Sequence, residues 1–410
     1  AKPDSRLARD HPDWFLRNRL GLPSSAGFFF NTFSRGLDVT HPAVQEHTRK
    51  LIGTAVNEWG YPYLKLDFLY AAALPGQRHD PTRTRAQALR LGLELIREAA
   101  GPETFIVGCG CPLGTAVGIV DAMRIGPDVD PRWRPSFNGV TFPFRDEPAM
   151  PSARNSIRNT IARAPLHRRW WLNDPDCLLA RDDTQLTLDE VTALASVIAL
   201  SGGMFLVSDD LATLAPERRR LIEPLLPVLG CTALARDWLE KEMPELLELP
   251  MRGAAGEWTV FGLFNWGDSP GKRTLPIDAD SHVYDFWNRA YTRAAGPVSF
   301  DLPPHGGRLL AVRAVTAAPQ FVGSSFHFSQ GGEIEEWQGT DHGVKFVINL
   351  NRVAEGDIVL CLPDSPRPHT SDSIPCEEVF VAGEGRGGGR GAIYKLSLTV
   401  NRRAEINVEW

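Results

Sequence analysis

The chain has 410 residues, 43% of them hydrophobic and 23% charged, with a net charge of −6 and a pI near 6.0. This is globular composition with apolar material for two or three domains, and the acidic balance lacks the positive footprint of a nucleic-acid binder. No apolar run reaches the ~18–20 residues of a membrane span. The six cysteines are too few and too scattered for a disulfide scaffold, and Cys109 and Cys111 have no partner pair at zinc-site spacing. A reduced, cytoplasmic setting is the simple expectation. The chain begins AKPDSRLARD, with neither Met nor a signal-like segment, so it reads as cut from a longer protein and a lost leader stays open.

Up to about residue 225, short apolar runs alternate with helical stretches. Thr40 is the expected cap of a helix with Val44, Leu51, Ala55 and Trp59 on one face, ended by Gly60. Strands are expected at 64–68, 105–109, 123–126, 170–173 and 205–208, each short and apolar as strands covered on both faces are. Leu89, Leu93, Ile96 and Ala100 mark a second helix, stopped by Gly101-Pro102. Thr187 and Glu190 form a capping box opening a third, with Leu188, Val191, Ala195 and Ile198 along it and Gly202-Gly203 closing it. Strands alternating with helices imply a parallel sheet.

After about residue 228 the pattern turns to short alternating segments: 258–266, 281–288, 307–315, 343–350, 356–362 and 392–400. These read as one antiparallel β-sandwich, or as one with an annex after about residue 316. The segment GEGRGGGRG at 383–391 reads as a mobile loop with solvated arginines.

The chemistry-bearing residues stand at strand ends. In Tyr63-Leu64-Lys65-Leu66-Asp67-Phe68, Lys65 and Asp67 fall two apart and share a face. A charged pair in a central parallel strand is either a strand-closing ion pair or functional. The run Arg124-Ile125-Gly126-Pro127-Asp128-Val129-Asp130 places two carboxylates just past another strand; alone it reads equally as a polar Asx turn. Between them, Val107 to Gly114 has glycines without G-x-G-x-x-G spacing, and Pro112 interrupts the helix start a dinucleotide would need. Trp170-Trp171-Leu172-Asn173-Asp174-Pro175-Asp176 runs from a strand into an acidic loop, where at least one tryptophan belongs to the core. Ser208-Asp209-Asp210 follows the last strand in the same way. With ~30 residues per βα unit, Asp67 and Asp128 would stand two strands apart on one rim. Paired carboxylates are what glycoside hydrolysis requires.

Together these strings resemble the family 36 melibiases of glycoside hydrolase clan D. Asp10-His11-Pro12-Asp13-Trp14 is similar to the family's E-H-P-D-W segment, Lys65-Leu66-Asp67 to its K-x-D nucleophile motif, and Cys111-Pro112-Leu113-Gly114 to its C-x-x-G turn. Arg124 to Asp128 is similar to the R-x-x-x-D acid/base motif, and Asn173-Asp174-Pro175-Asp176 to N-D-P-D. Phe264-Asn265-Trp266 and Asp301 to Gly306 resemble the C-terminal β-domain. The family's first three barrel strands, with their D-D-G-W motif, and its N-terminal supersandwich have no counterpart here.

The resemblance implies an α/β fold: strands four to eight of a partial TIM (β/α)8 barrel at 1–227, a β-sandwich at 228–315 and a β-rich extension at 316–410. Five strands of eight would leave edges exposed. It further implies a retaining α-galactosidase with Asp67 as nucleophile and Asp128 as acid/base, their carboxyl groups ~5–5.5 Å apart. Lys65, Cys111, Gly114, Arg124, Trp171 and Asp174 would line the sugar site, with Asp176 beside them. No metal or cofactor is implied. The implied partners are α-galactoside oligosaccharides or glycoconjugates, with neither nucleic acid nor membrane, and a homo-oligomer is left open. The alternatives are a raffinose-synthase-like galactosyl transferase, an α-N-acetylgalactosaminidase, or a catalytically idle sugar-binding barrel fragment.

Overall fold

A computed structural model describes residues 1–29, 32–143, 145–340, 342–362, 369–370, 374–378 and 391–410. The expected loop at 383–391 therefore lies outside the described residues except for Gly391. The chain divides into two compact units, Ala1–Pro127 with Leu166–Asp176, and Asp128–Pro165 with Cys177–Trp410. Among the described residues no helix is long and apolar enough to cross a membrane.

The first unit is built on a four-stranded parallel sheet in chain order: β1 (Tyr63–Leu66), β2 (Phe105–Gly108), β3 (Ala122–Arg124) and β4 (Leu172–Asp174). Its core joins Ile106, Met123 and Ile125 of the sheet region to Leu89 and Leu93 of helix α2 (Arg85–Ala100). Gly101, at φ +78°, ends that helix where a side chain would be strained. β1 is not covered on both faces as expected. It is the outer strand of the sheet, and Tyr63 and Lys65 are exposed while Leu64 and Leu66 turn inward.

Helix α1 (Pro42–Gly53) is capped by His41, not Thr40: the His41 Nδ1 accepts the Ala43 N–H at 3.1 Å. The Thr40 hydroxyl donates instead to Asp38 Oδ1 at 2.7 Å. Val44 and Ile52 are buried, whereas Leu51 and Trp59 are exposed. The wider π-type turn over Thr54–Glu58 takes more residues per turn and carries Trp59 off the apolar stripe.

The second unit contains α3 (Ala153–Arg163), the parallel pair β5 (Cys177–Leu178) and β6 (Leu206–Val207), and α4 (Leu188–Ser201). Both halves of the Thr187–Glu190 capping box form. Gly202 closes α4 in the left-handed region; Leu188, at its first position, faces solvent.

The β-rich part begins with β7 (Leu246–Gly253), β8 (Gly256–Phe264), β9 (Gly271–Leu275), β10 (Ser281–Asp285), β11 (Ala290–Ala294), β12 (Val298–Leu302) and β13 (Gly307–Ala314). One antiparallel sheet runs β11-β10-β13-β8-β7 and ends on Leu234–Ala235. The pair β9–β12 packs on it through Leu275, Leu302, Phe261 and Leu310. A second sheet follows with β14 (Gln320–Ser324), β15 (Ile334–Thr340), β16 (Gly343–Leu362) and β17 (Ala392–Glu409). Residues 343–350 and 356–362, read as two strands, are one. The intervening polar stretch is an irregularity between Asn349 and Val353, where Asn351 adopts φ 55° and its N–H is held by Asn349 Oδ1 at 3.1 Å.

Candidate active site

The first unit gathers most of the polar strand ends named by the sequence. β1 delivers Lys65 and, one residue past its end, Asp67; β3 ends on Arg124; β4 ends on Asp174. Arg124 and Asp174 are register neighbours. Lys65, on the other side of the sheet, still places its Nζ 3.3 Å from Asp174 Oδ2. Three inter-strand steps of ~4.8 Å exceed what a lysine side chain spans on a flat sheet, so the sheet curls and these side chains converge on its concave face.

Asp174 is fully buried, and Arg124 is nearly so. The Arg124 Nε lies 3.3 Å from Asp174 Oδ1, and its Nη2 lies 2.6 Å from Asp176 Oδ1. Asp174 Oδ1 also accepts the Asp176 N–H at 2.8 Å, which holds Asp176 in a left-handed turn at φ 77°. Burial acts to lower the Arg124 guanidinium, but the Asp174 and Asp176 carboxylates outweigh it and hold it above its ordinary range. Behind them Asn173 receives the Trp171 indole N–H on Oδ1 at 3.1 Å and donates its backbone N–H to His167 Nδ1 at 3.1 Å.

Asp67 is exposed. Its Oδ1 accepts the N–H of Phe68, a residue in the left-handed region at φ 55°, at 2.6 Å. Burial pushes the Cys109 thiol up to about 12, helped by a hydrogen bond to the Asp67 carboxylate and by its charge; Arg124 and Lys65 lie near enough to oppose this. Burial, followed by the Asp67 charge, also raises the Tyr70 hydroxyl.

The other expected residues have these surroundings. Trp171 is 4% exposed and packs in the core with Met123 and Ile125, so its ring faces are covered; Trp170, 45% exposed, is the one that presents a face. Nothing lies within 4 Å of where a Cβ on Gly114 would stand, so no close approach demands that glycine. Cys111 is half-buried against the same apolar core, and burial raises its thiol to about 11. Asp128 begins the second unit, where its carbonyl accepts the Ser152 N–H at 3.2 Å. The neighbouring Asp130 is clamped in two-point fashion by Arg132, at 2.7 and 3.0 Å. Asp209 is structural, accepting the Ala180 N–H at 2.6 Å and Arg181 at 3.0 Å.

Sequence reading noted the Val107–Gly114 run but did not connect Cys109 and Gly110 with Asp67; the register that sets Leu66 opposite Gly108 brings the residues after the two strand ends side by side. Among the described residues, no group of three or more His, Cys, Asp or Glu is arranged to hold a metal ion.

No family model matches the chain. Among solved structures it is similar to a glycoside hydrolase family 27 β-L-arabinopyranosidase from Geobacillus stearothermophilus, with a TM-score of 0.50 and 14% identity over 72% of this chain and 66% of that one. The chain shares that enzyme's fold. At this identity the likeness concerns fold alone. The chain is also similar to an α-galactosidase from Thermus thermophilus determined in complex with stachyose, at 34% identity and TM-score 0.47 over 55% of this chain and 47% of that one. Alpha-galactosidase I from Mortierella vinacea gives 19% identity and TM-score 0.49 over 71% and 75%. The chain thus spans about half the length of the Thermus thermophilus protein it matches.

Proposed function

We propose that the protein is a retaining glycoside hydrolase of the family 36 melibiase kind, acting on terminal α-galactosides. In this reading residues 1–227 carry strands of a catalytic (β/α)8-type barrel, 228–315 a β-sandwich and 316–410 its β-rich extension. The observation that carries the proposal is the exposed Asp67 carboxylate standing at a parallel strand end beside a buried Asp174–Arg124–Asp176 network that the exposed Lys65 joins. Burying three charged groups at strand ends is costly for stability, and such an arrangement is characteristic of functional sites.

The Asp67 carboxylate attacks the anomeric carbon of the galactoside. As that bond forms, the bond to the leaving oxygen breaks, and Asp128 supplies the proton that oxygen needs. Asp128 then takes a proton from water, whose oxygen attacks the same carbon and releases Asp67, with net retention. Asp128 is assigned from its place in the Arg124–Asp128 motif. Lys65, anchored by Asp174, donates to sugar hydroxyls next to Asp67. Arg124 stays cationic throughout and fixes Asp174 and Asp176 as the floor of the site.

The test is Asp67→Ala, assayed with p-nitrophenyl α-galactoside. Turnover is lost, and added azide restores it with inversion at the anomeric carbon. Full activity in the variant removes Asp67 from the mechanism. Galactose binding by titration calorimetry, with no turnover in the unaltered protein, would favour an idle sugar-binding site instead.

A further inference from the structure

Cys109 and Gly110, the first residues of the turn after β2, have no assigned role in the reaction, yet Gly110 meets Asp67 at close range. Three backbone hydrogen bonds stitch this turn to the one that follows β1. The Cys109 N–H donates to the Leu66 carbonyl at 2.8 Å, the Leu69 N–H to the Cys109 carbonyl at 3.4 Å, and the Tyr70 N–H to the Gly110 carbonyl at 2.7 Å. Gly110 adopts φ +53°, and a Cβ there would stand 3.1 Å from Asp67 Oδ1, 3.1 Å from the Phe68 nitrogen and 3.2 Å from the Phe68 Cα. Two of these neighbours are backbone atoms and the third is the carboxylate itself, so a Cβ at 110 would have to push one of them aside by a few tenths of an ångström. Cys109, 4% exposed, hydrogen-bonds the Asp67 carboxylate through its thiol from the adjoining position.

We propose that Cys109 and Gly110 are positioning residues for the Asp67 carboxylate: Gly110 leaves the space in which Oδ1 seats against the Phe68 N–H, and the buried Cys109 thiol braces the carboxylate from its flank. This rests on Asp67 being the nucleophile. The 2.6 Å Phe68 bond fixes where Oδ1 can be only while position 110 lacks a side chain. A nucleophile displaced by a fraction of an ångström leaves the near-attack geometry, whereas substrate contacts made by other residues persist. Cys109 acts without ionising, since burial and the adjacent carboxylate both favour its thiol form.

The experiment compares Gly110→Ala, Cys109→Ala and Cys109→Ser with Asp67→Ala, using p-nitrophenyl α-galactoside and thermal melts. Gly110→Ala is expected to lower kcat about 100-fold with KM little changed, and azide does not rescue it because Asp67 still fills the space. Cys109→Ala is expected to lower kcat in the same way, and Cys109→Ser, which keeps a donor, to recover most of it. If Gly110→Ala fails to fold, the cysteine pair decides. Normal kcat in Gly110→Ala, or equal kcat in both cysteine variants and the unaltered protein, overturns the proposal. If Asp67→Ala is itself fully active, the nucleophile assignment fails instead; the two failures are thus told apart.

Discussion

Arg124 in the first unit and Arg313 in the second are both almost wholly buried, but their surroundings differ in kind. Arg124 faces two carboxylates and is held above its ordinary range. Arg313 donates to the carbonyls of Val322, Gln330 and Ala255 at 3.2, 2.8 and 3.3 Å and lies over the rings of Trp258 and Phe321 at 4.3 and 5.2 Å. Burial lowers it to about 9, only partly offset by Glu333. One cation is matched by charges that continue outward to Lys65; the other is absorbed by backbone and aromatic faces. The difference separates a buried cation matched by carboxylates from one matched by carbonyls and rings.

The largest expected effect is at Arg124. Arg124→Met takes the buried cation from Asp176 and leaves Asp174 with Lys65 alone, and it should destabilise the fold by about 3–5 kcal/mol, read by urea denaturation, while turnover is lost. Removing the partner as well, in Arg124→Met with Asp174→Asn, should recover part of the stability.

The second region offers a pH test. Burial first, with Arg293 and Arg313 adding to it, lowers His282 to about 4. The unfolded chain takes up that proton near pH 6.5, the folded one only near pH 4. Stability from this residue is therefore full above pH 6.5 and is lost as pH falls toward 4, by ~3 kcal/mol in all. His282→Gln should flatten that slope; an unchanged slope would contradict the burial argument.

Arg313→Met orphans three carbonyls and should lower stability by about 2 kcal/mol without altering kcat. Loss of turnover in a folded Arg313→Met protein would erase the distinction between the two arginines.

A smaller effect is expected at His305, whose ring nitrogens meet Glu190 at 2.7 Å and Asp268 at 2.9 Å while the ring stacks on Trp133. The His305 bond, then Arg134, holds the Asp268 carboxyl below its usual range. That contribution is present above the ordinary carboxylate range and fades as pH falls through the lowered value. His305→Ala should lower Tm by about 2 °C at pH 7 and by less at pH 3.

Much of this was legible in the chain. Lys65, Asp67, Arg124 and Asp174 stood out because apolar strands end on them, and a charge in such a place needs a partner or a task. The capping box at Thr187 and Glu190 is a local motif and formed as read. The approach of Gly110 to Asp67 was hidden because the two lie more than forty positions apart and meet only when Leu66 and Gly108 are set in register. Trp171 is buried and Trp170 exposed in the turn that precedes β4, and the sequence did not say which of the two turned inward. The cap of α1 went to His41 because Asp38 had already engaged the Thr40 hydroxyl.

The long ribbon formed by β16 and β17 bears on how the protein reaches its native state. Its register joins Leu362 to Ala392 at the near end and Gly343 to Glu409 at the far end. Closing the shorter loop costs less chain entropy, so pairing should begin beside Leu360 and Tyr394 and zip outward, past the irregularity at Asn349, to Val344 and Val408. Pulse-labelled amide exchange during refolding should then find Leu360 protected before Val344.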